Sequence, residues 1–223
     1  PGKLACVVFV GGCNFACGYC HNPFLVVDPE SQPPIEMDAF FAFLDKRVGK
    51  LDAVVVSGGE PTLQHDLVDV ARVIKEKGFL LKLDTNGGNV KPVKTMLEEG
   101  LLDYMGLDFK APRAKYPQIG GFSNPTIVEN VMETFRLAVA HGVPMDVRTT
   151  VHKKQLSEDD LARMRQELDE LDIQNWVLQQ FHPVDTLDPD LPEIPSYSDE
   201  ELLAIADRLH HTKVRGLTGI FIG

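Results

Sequence analysis

Residues 4–20, with the sequence LACVVFVGGCNFACGYC, join a valine-rich apolar segment to three cysteines that lie within eight residues. The segment 4–10 predicts a strand that is buried on both faces, as in a parallel sheet. The thiols of Cys13, Cys17 and Cys20 follow the carboxyl end of that strand, on a loop that contains glycine. Ligands of parallel α/β folds gather at this edge, so the stretch indicates a metal or redox site.

The same order of strand, loop, helix and glycine recurs along the chain. Five further apolar segments predict strands, at residues 53–57, 80–84, 104–108, 145–150 and 176–181. Strands that alternate with helices predict an α/β fold with a parallel sheet and right-handed crossovers. Polar residues such as Ser57, Asp84, Asp108, Arg148 and His182 fall at the predicted strand ends, where either solvent or a ligand would meet them.

The predicted helices have apolar faces and marked ends. Helical spacing relates Ile127, Val131, Phe135 and Val139, and likewise Leu161, Met164, Leu168 and Leu171. Ser157 and Ser198 each precede three acidic residues, which is typical of helix N-terminal capping. Gly78, Gly100 and Gly142 are each placed where a helix should end before the next strand.

The length of 223 residues fits a single domain over residues 1–223 with one sizeable core. Within it, the cysteines lie on a loop at 11–23, and four prolines make 182–196 a second long loop. A C-terminal helix and tail occupy 197–223, and residues 214–222 could form a short strand or a wrapping segment.

Composition excludes some classes of function. The 33 acidic and 22 basic residues give a net charge of −11, which argues against a large nucleic-acid interface. Apolar runs such as 53–56 and 143–151 are too short to span a bilayer, and no charged-then-apolar leader is present. We therefore expect a cytoplasmic protein with neither a membrane nor a nucleic-acid partner.

The number of thiols narrows the type of metal site. Four cysteines are too few for a disulfide scaffold of this size. A structural zinc site needs four ligands, whereas Cys6 lies inside a predicted strand and His21 directly follows Cys20. A cubane iron–sulfur cluster has four irons, so three cysteines would leave one iron free for a substrate. A zinc-binding module without catalysis remains the alternative.

The motifs resemble those of a known family. The spacing Cys-x-x-x-Cys-x-x-Cys after the first strand, with Tyr19 before the last cysteine, is similar to the signature of radical S-adenosylmethionine (SAM) enzymes. The segment 57–61, Ser-Gly-Gly-Glu-Pro, resembles that family's second motif at the end of the second strand. The resemblance implies a 4Fe-4S cluster on Cys13, Cys17 and Cys20, and a partial (βα)6 barrel similar to a TIM barrel.

Further segments resemble the activases of glycyl radical enzymes, including the pyruvate formate-lyase activators. These segments are Cys-His-Asn at 20–22, Leu-Asp-Thr-Asn-Gly at 83–87 and Leu-Asp-Phe-Lys at 107–110. The anaerobic ribonucleoside-triphosphate reductase activating proteins are the most similar subgroup, also through residues 177–181. Two features depart from the pattern, since Ala16 stands where a basic residue is usual and no second cysteine-rich insert is present.

The resemblance implies an oxidoreductase that cleaves SAM reductively to a 5′-deoxyadenosyl radical and methionine. The radical would take a hydrogen atom from a glycine of a partner enzyme, with flavodoxin or ferredoxin as electron donor. Gly58, Gly59 and Glu60 would present backbone and carboxylate acceptors to the SAM ammonium, because glycine allows close backbone approach. Tyr19 would lie along the adenine.

The resemblance also implies roles for residues at the later strands. Lys110 and Arg148 would meet the SAM carboxylate through charge-assisted hydrogen bonds, and His182 would reach the ribose or adenine. Asp84, Thr85 and Asp108 would hold a monovalent cation, for which oxygen ligands are suited. Ordinary roles for these residues remain open, such as ion pairs for Arg148 and solvated strand ends for the aspartates.

Other functions and another fold also remain possible. The partner could be another glycyl radical enzyme, of the pyruvate formate-lyase type, or a radical SAM enzyme could act on a small molecule instead of a protein glycine. The strand count alone would also permit an open doubly wound sheet, although no Gly-x-Gly-x-x-Gly follows the first strand.

Overall fold

The computed structural model describes residues 2–31 and 33–218. Over these residues the strands are β1 Ala5–Val10, β2 Ala53–Gly58, β3 Leu80–Thr85, β4 Tyr104–Asp108, β5 Met145–Val151, β6 Trp176–Gln180 and β7 Thr212–Arg215. The helices are α1 Pro23–Val27, α2 Met37–Asp45, α3 Leu67–Glu76, α4 Val90–Glu98, α5 Tyr116–Gly120, α6 Thr126–Ala140, α7 Glu158–Asp169 and α8 Asp199–Arg208. Single 3₁₀ turns occupy Pro29–Ser31, Pro61–Leu63 and Leu191–Glu193.

The strands form one sheet in the order β1-β2-β3-β4-β5-β6-β7, which is not closed within the described residues. This confirms the predicted α/β class and the partial barrel type, but the strand number is seven and not six. The additional strand, β7, has four residues, Thr-Lys-Val-Arg, and is too short and polar to be found as an apolar run. Of the two possibilities for the tail, a short strand or a wrapping segment, its first residues thus form a strand. Residues 219–222 lie outside the described residues.

The chain divides into two compact units. The first comprises Pro1–Asn14, Phe24–Gly106 and Asn130–Met145, and the second comprises Phe15–Pro23, Leu107–Glu129 and Asp146–Gly223. This division describes how the residues pack, and one domain over residues 1–223 stays a prediction.

In the first unit, β2 is the central strand between two parallel neighbours. Its register pairs Ala53 with Ala5 of β1 and with Leu80 of β3. Apolar side chains of β2 and β3 are buried together with those of α3 and α4, namely Val54, Val56, Leu81, Leu83, Ile74 and Met96. The strands therefore end at a common edge, with Gly58 opposite Val10.

In the second unit, β6 has parallel neighbours on both sides, since Trp176 pairs with Val147 of β5 and Thr212 of β7. Trp176 is fully buried, and its indole Nε1 donates a hydrogen bond to Thr149 Oγ1 at 2.8 Å. The predicted apolar face of α7 is confirmed for Leu161, Met164 and Leu168, which are all buried. Leu171 is buried too, but it lies beyond the end of the helix at Asp169.

The predicted helix ends are confirmed. Ser157 and Ser198 each form a capping box with the third helical residue, Asp160 and Glu201 respectively. Gly78, Gly100 and Gly142 adopt positive φ angles after α3, α4 and α6.

The apolar face predicted for α6 is wrong in part. Val131 and Phe135 are fully buried as expected, but Val139 is exposed and Val128 and Ala138 are buried instead. The buried stripe thus follows steps of three and four residues, whereas the prediction used steps of four alone, which drift around the helix.

None of the helices in the described part of the chain has the length and apolar character needed to cross a membrane.

Candidate functional site

The cysteine loop follows β1 as predicted. Cys17 is buried and Cys13 and Cys20 are half-buried, and none of the three forms a disulfide. Cys6 lies within β1, as predicted, and is opposite Val54. The prediction that this strand is buried on both faces is wrong, because Val7 and Phe9 are exposed. Among the described residues, no three or more His, Cys, Asp or Glu side chains are grouped as a metal site, so the cluster ligands stay a prediction.

Backbone hydrogen bonds fix the second half of the cysteine loop within the second unit. Ala16 N donates to Gly120 O at 2.8 Å, Cys20 N donates to Cys17 O at 3.0 Å, and Gly18 O accepts from Asp188 N at 2.9 Å. The proline-rich loop 182–196 therefore contacts the cysteine loop through Asp188.

In the first unit, the Gly58–Gly59 turn contacts the backbone that leads to Cys13. Gly59 N donates to Val10 O at 2.8 Å, and Glu60 N donates to Gly12 O at 2.7 Å. A Cβ on Gly59 would overlap the Gly12 carbonyl oxygen, and one on Gly58, whose φ is +124°, would overlap the Val10 backbone. Glycine is thus required for the approach of the chain to itself, a role that the resemblance did not include.

The Glu60 carboxylate is fully buried and hydrogen-bonded within the first unit. Oε1 accepts from Thr62 N at 3.0 Å, from Thr62 Oγ1 at 2.6 Å and from Thr85 Oγ1 at 2.6 Å, while Oε2 accepts from Asn86 N at 2.7 Å. Burial raises the pKa of Glu60, although these donors act in the opposite direction. The structure thereby gives Glu60 a role in joining the ends of β2 and β3.

The residues that follow β3 have partners of their own. The Thr85 hydroxyl, besides donating to Glu60, accepts from Gly87 N at 3.1 Å. Asp84 Oδ1 lies 3.0 Å from Lys82 Nζ. The Thr85 hydroxyl and the Asp84 carboxylate, which were predicted to hold a monovalent cation, thus already contact neighbouring residues in the first unit.

Asn86 is a site residue to which sequence reasoning gave no role. Its side chain is buried, and Nδ2 donates to Asn14 Oδ1 at 2.8 Å and to Cys13 Sγ at 3.9 Å. An asparagine directly after a strand end and before two glycines was the signal available in the sequence.

In the second unit, Asp108 brings together the two predicted cationic residues. Lys110 Nζ lies 3.0 Å from Asp108 Oδ2, and the Arg148 guanidinium lies 3.0 Å from Asp108 Oδ1. Burial would raise the pKa of Asp108, but Lys110 and Arg148 hold it below its ordinary value. Burial would likewise lower the pKa of Lys110, but Asp108 raises it well above its ordinary value. The triad is therefore ionised near neutral pH.

Aromatic rings surround the Lys110 ammonium. Lys110 Nζ lies 5.9 Å from the ring centroid of Phe15 and 5.8 Å from that of Tyr19, within the range of cation–π contacts. The Tyr116 hydroxyl accepts from Lys110 N at 3.2 Å and donates to Asp108 O at 3.0 Å. Phe15 and Tyr116 were not predicted, because their position beside Lys110 depends on tertiary contacts.

The thiol of Cys17 is influenced by the same group of residues. Burial raises its pKa, and the positive charge of Lys110 opposes this effect. Thiolates are the form that binds iron, so a nearby cation is favourable for a ligand at this position. The three free thiols and the cation beside one of them fit an iron–sulfur cluster as a donor set.

His182 follows β6, where the sequence placed it. It is half-buried, and a Cβ on Gly216 would lie 3.1 Å from its Nε2. The neighbouring His21 ring lies 5.7 Å from the Phe181 ring. The pKa of His21 is lowered by burial and, to a smaller extent, by the charge of His182.

Comparison with known proteins assigns the chain to a family. Residues 7–168 match the model of the Radical SAM superfamily. A protein of Methanocaldococcus jannaschii, provisionally named a glycyl-radical enzyme activating enzyme, is 31% identical over 91% of this chain and 83% of its own length. A probable GTP 3′,8-cyclase of Pyrococcus horikoshii is 27% identical over 68% of this chain and 47% of its own.

Solved structures with similar folds share little sequence. Streptococcus suis SuiB bound to its precursor peptide SuiA superposes with a TM-score of 0.74 at 14% identity, over 96% of this chain and 49% of SuiB. The enzyme anSMEcpe with bound AdoMet gives a TM-score of 0.67 at 16% identity, over 92% of this chain and 57% of that chain. This chain thus spans about half the length of the solved structures, which support the fold alone.

Proposed function

The chain belongs to the radical SAM superfamily, and from this premise we propose that it is an activating enzyme of a glycyl radical enzyme. The partner in this proposal is anaerobic ribonucleoside-triphosphate reductase, and the electron donor is a flavodoxin or ferredoxin in the cytoplasm. The name of the Methanocaldococcus relative supports the activase class.

One observation of the structure carries the proposal. In the first unit, Gly59 and Glu60 hydrogen-bond to Val10 and Gly12, directly before Cys13. The first cysteine of the motif and the second family motif are therefore neighbours in space although 45 residues separate Cys13 from Gly58. Such proximity is what a site that holds a cluster and SAM together requires.

We assign the residues to the following roles. Cys13, Cys17 and Cys20 would hold three irons of a 4Fe-4S cluster. When bound, the cluster and SAM supply a 5′-deoxyadenosyl radical through one-electron cleavage of the sulfonium. The protein's task is to bind these groups, to orient them and to exclude water.

The remaining residues serve SAM in this proposal. Gly58, Gly59 and Glu60 would hold the ammonium, with Glu60 acting through the backbone that its carboxylate fixes. Lys110, whose charge Asp108 stabilises, would bind the carboxylate together with Arg148. Tyr19 and His182 would contact the nucleoside, and Asp84, Thr85 and Asp108 would hold a monovalent cation after rearrangement of their present contacts.

The first test concerns the reaction class. The protein is reconstituted with iron and sulfide without oxygen, reduced with dithionite in the presence of SAM, and analysed for 5′-deoxyadenosine. We expect product from the wild type and from Cys6→Ala, and none from Cys17→Ala. A colourless protein with one zinc and no labile sulfide would instead identify the zinc-binding module.

The second test concerns the substrate. Adding the reductase large subunit should produce a glycyl radical signal in paramagnetic resonance. A radical SAM enzyme that acts on a small molecule is the second candidate, which the similarity to GTP 3′,8-cyclases favours. Formation of 5′-deoxyadenosine without a glycyl radical on any glycyl radical enzyme offered would support this candidate.

A further inference from the structure

The Asn86 side chain is oriented by three hydrogen-bond partners in the first unit. Oδ1 accepts from Gly88 N at 2.8 Å, which places Nδ2 on the opposite side of the amide group. Nδ2 then donates to Asn14 Oδ1 at 2.8 Å and to the Cys13 sulfur at 3.9 Å. The backbone N–H of Gly88 can only donate, so the amide cannot be flipped without losing that hydrogen bond.

The backbone of Asn86 is fixed as well. Its N–H donates to Glu60 Oε2 at 2.7 Å, and the other Glu60 oxygen is held by Thr62 and Thr85. Asn86 is 5% exposed, so little solvent competes for its amide. A continuous set of hydrogen bonds therefore runs from the Glu60 carboxylate to a thiol of the cysteine motif.

We propose that Asn86 is a positioning residue that donates a hydrogen bond to the Cys13 thiolate and thereby raises the reduction potential of the cluster. The inference rests on the proposed function only in requiring a cluster on Cys13. An N–H donor stabilises the more negative, reduced cluster more than the oxidised one, and hydrogen bonds to ligand sulfurs are known determinants of cluster potential. Burial strengthens this effect because the local dielectric constant is low.

The geometry also assigns Glu60 a part in this effect. Because Glu60 holds the Asn86 backbone, it would act on the cluster through Asn86. This role differs from the predicted contact between Glu60 and the SAM ammonium, and it does not require SAM to be bound.

The test compares the cluster potentials of the wild type, Asn86→Ala, Asn86→Ser, Asn86→Asp and Asn89→Ala. Asn89 is the matched control, since it lies in the same loop and its Nδ2 donates to Thr62 O at 2.6 Å and not to a sulfur. Each protein is reconstituted anaerobically, assayed for iron and sulfide, and titrated with dithionite while the reduced cluster is followed by paramagnetic resonance. SAM and the partner enzyme are both omitted.

We expect Asn86→Ala to shift the ratio of reduced to oxidised cluster at a fixed potential by three- to tenfold toward the oxidised form. A tenfold shift is about 59 mV for a one-electron couple. Asn86→Asp should lower the potential further because a carboxylate replaces the donor, Asn86→Ser should fall between wild type and Asn86→Ala, and Asn89→Ala should match the wild type.

Equal potentials for the wild type and Asn86→Ala, at equal iron and sulfide contents, would overturn the proposal. If Asn86→Ala holds no cluster, Asn86→Ser decides by the same comparison. Loss of the folded apoprotein in all three variants at position 86, seen by circular dichroism, would make Asn86 purely structural and would also overturn it. If the wild type forms 5′-deoxyadenosine and the Asn86 variants have the same cluster potential as the wild type, this inference fails while the proposed function stands.

Discussion

Thr85 Oγ1 donates a 2.6 Å hydrogen bond to Glu60 Oε1, and so links the residues at the ends of two neighbouring parallel strands. Glu60 follows β2 and Thr85 ends β3. The Glu60 carboxylate, which belongs to the second family motif, therefore lies in the interior of the first unit, where it also accepts hydrogen bonds from Thr62 and Asn86.

We expect Glu60→Gln to lower the free energy of unfolding of the apoprotein by about 1–3 kcal/mol. A glutamine amide cannot accept from all four donors, so at least one buried N–H or O–H group is left unpaired. Urea denaturation of the apoprotein measures the change. Glu98→Gln is the control, because Glu98 forms an exposed pair with Lys94 and its loss should cost less than about 0.5 kcal/mol. Equal effects of the two variants would contradict the importance of the Glu60 hydrogen bonds.

Gly59→Ala should destabilise the first unit and prevent cluster assembly. The new Cβ would overlap the carbonyl oxygen of Gly12, so the backbone just before Cys13 must move. We expect a loss of about 2–4 kcal/mol and a low iron content after reconstitution, measured by denaturation and colorimetric assay.

Gly78→Ala separates steric overlap from backbone strain in this experiment. Gly78 has a φ of +86°, and no atom lies within 4 Å of the position that a Cβ would take, so its variant should lose about 1–2 kcal/mol and keep a full cluster. A full cluster in Gly59→Ala would show that the approach of Gly59 to Gly12 is not needed for the site.

Local features of the fold could be predicted from the sequence, whereas contacts between distant residues could not. The capping boxes at Ser157 and Ser198 depend on residues three positions apart, so the sequence contains them in full. The sequence left open whether the tail begins with a strand, because the four residues of β7 are mostly polar.

The same distinction applies to the candidate site. The position of Asp108 at the end of β4 followed from the alternation of strands and helices, whereas the same prediction for Arg148 is wrong, because β5 continues to Val151. Lys110 was indicated by the family resemblance alone. The hydrogen bonds of Glu60 and the rings around Lys110 join residues far apart in the chain, and no periodicity indicates them. Asn86 belongs to the segment 83–87, which resembles the activases. Its contact with Cys13 joins residues 73 positions apart, so only the structure reveals it.

Lys110→Met should weaken SAM binding if the proposed function is correct. A charge-assisted hydrogen bond to a carboxylate contributes about 1.5–3 kcal/mol, so the Kd of SAM should rise roughly ten- to hundredfold. Equilibrium binding to the anaerobically reconstituted protein measures this change.

Lys153→Met is the control for the loss of a lysine in the second unit. Lys153 forms an exposed ion pair with Glu201, and its removal should leave the Kd of SAM unchanged. If Lys110→Met binds SAM as tightly as this control, Lys110 serves only as the structural partner of Asp108.

His152 should make the stability of the protein depend on pH. It is fully buried after β5, where its Nδ1 accepts from Lys154 N at 3.1 Å. Its Nε2 lies 3.2 Å from both Leu191 O and Ile194 O in the proline-rich loop. Because Nδ1 is an acceptor, Nε2 carries the proton and the ring is neutral. Protonation would remove the acceptor and place a positive charge in the interior.

Burial lowers the pKa of His152 from its ordinary value of 6.5, and the charge of Lys154 acts in the same direction, while Asp188 and the two carbonyl groups oppose it. Below pH 6.5 the unfolded chain therefore binds more protons than the folded chain, and the free energy of unfolding falls as the pH falls toward the lowered folded pKa. Above pH 6.5 this contribution to stability is fully present.

We expect His152→Gln to reduce the loss of stability between about pH 7.5 and pH 5.5, because glutamine stays neutral and can still donate to the carbonyl groups. Urea denaturation at a series of pH values measures the slope. His210→Gln is the control, since His210 is exposed beside Asp169, and this variant should retain the slope of the wild type. The pKa of His21 is lowered too, so part of the slope should persist in His152→Gln. An unchanged slope in His152→Gln would mean that the buried ring gains its proton without cost, and that the loop contacts rearrange to accept it.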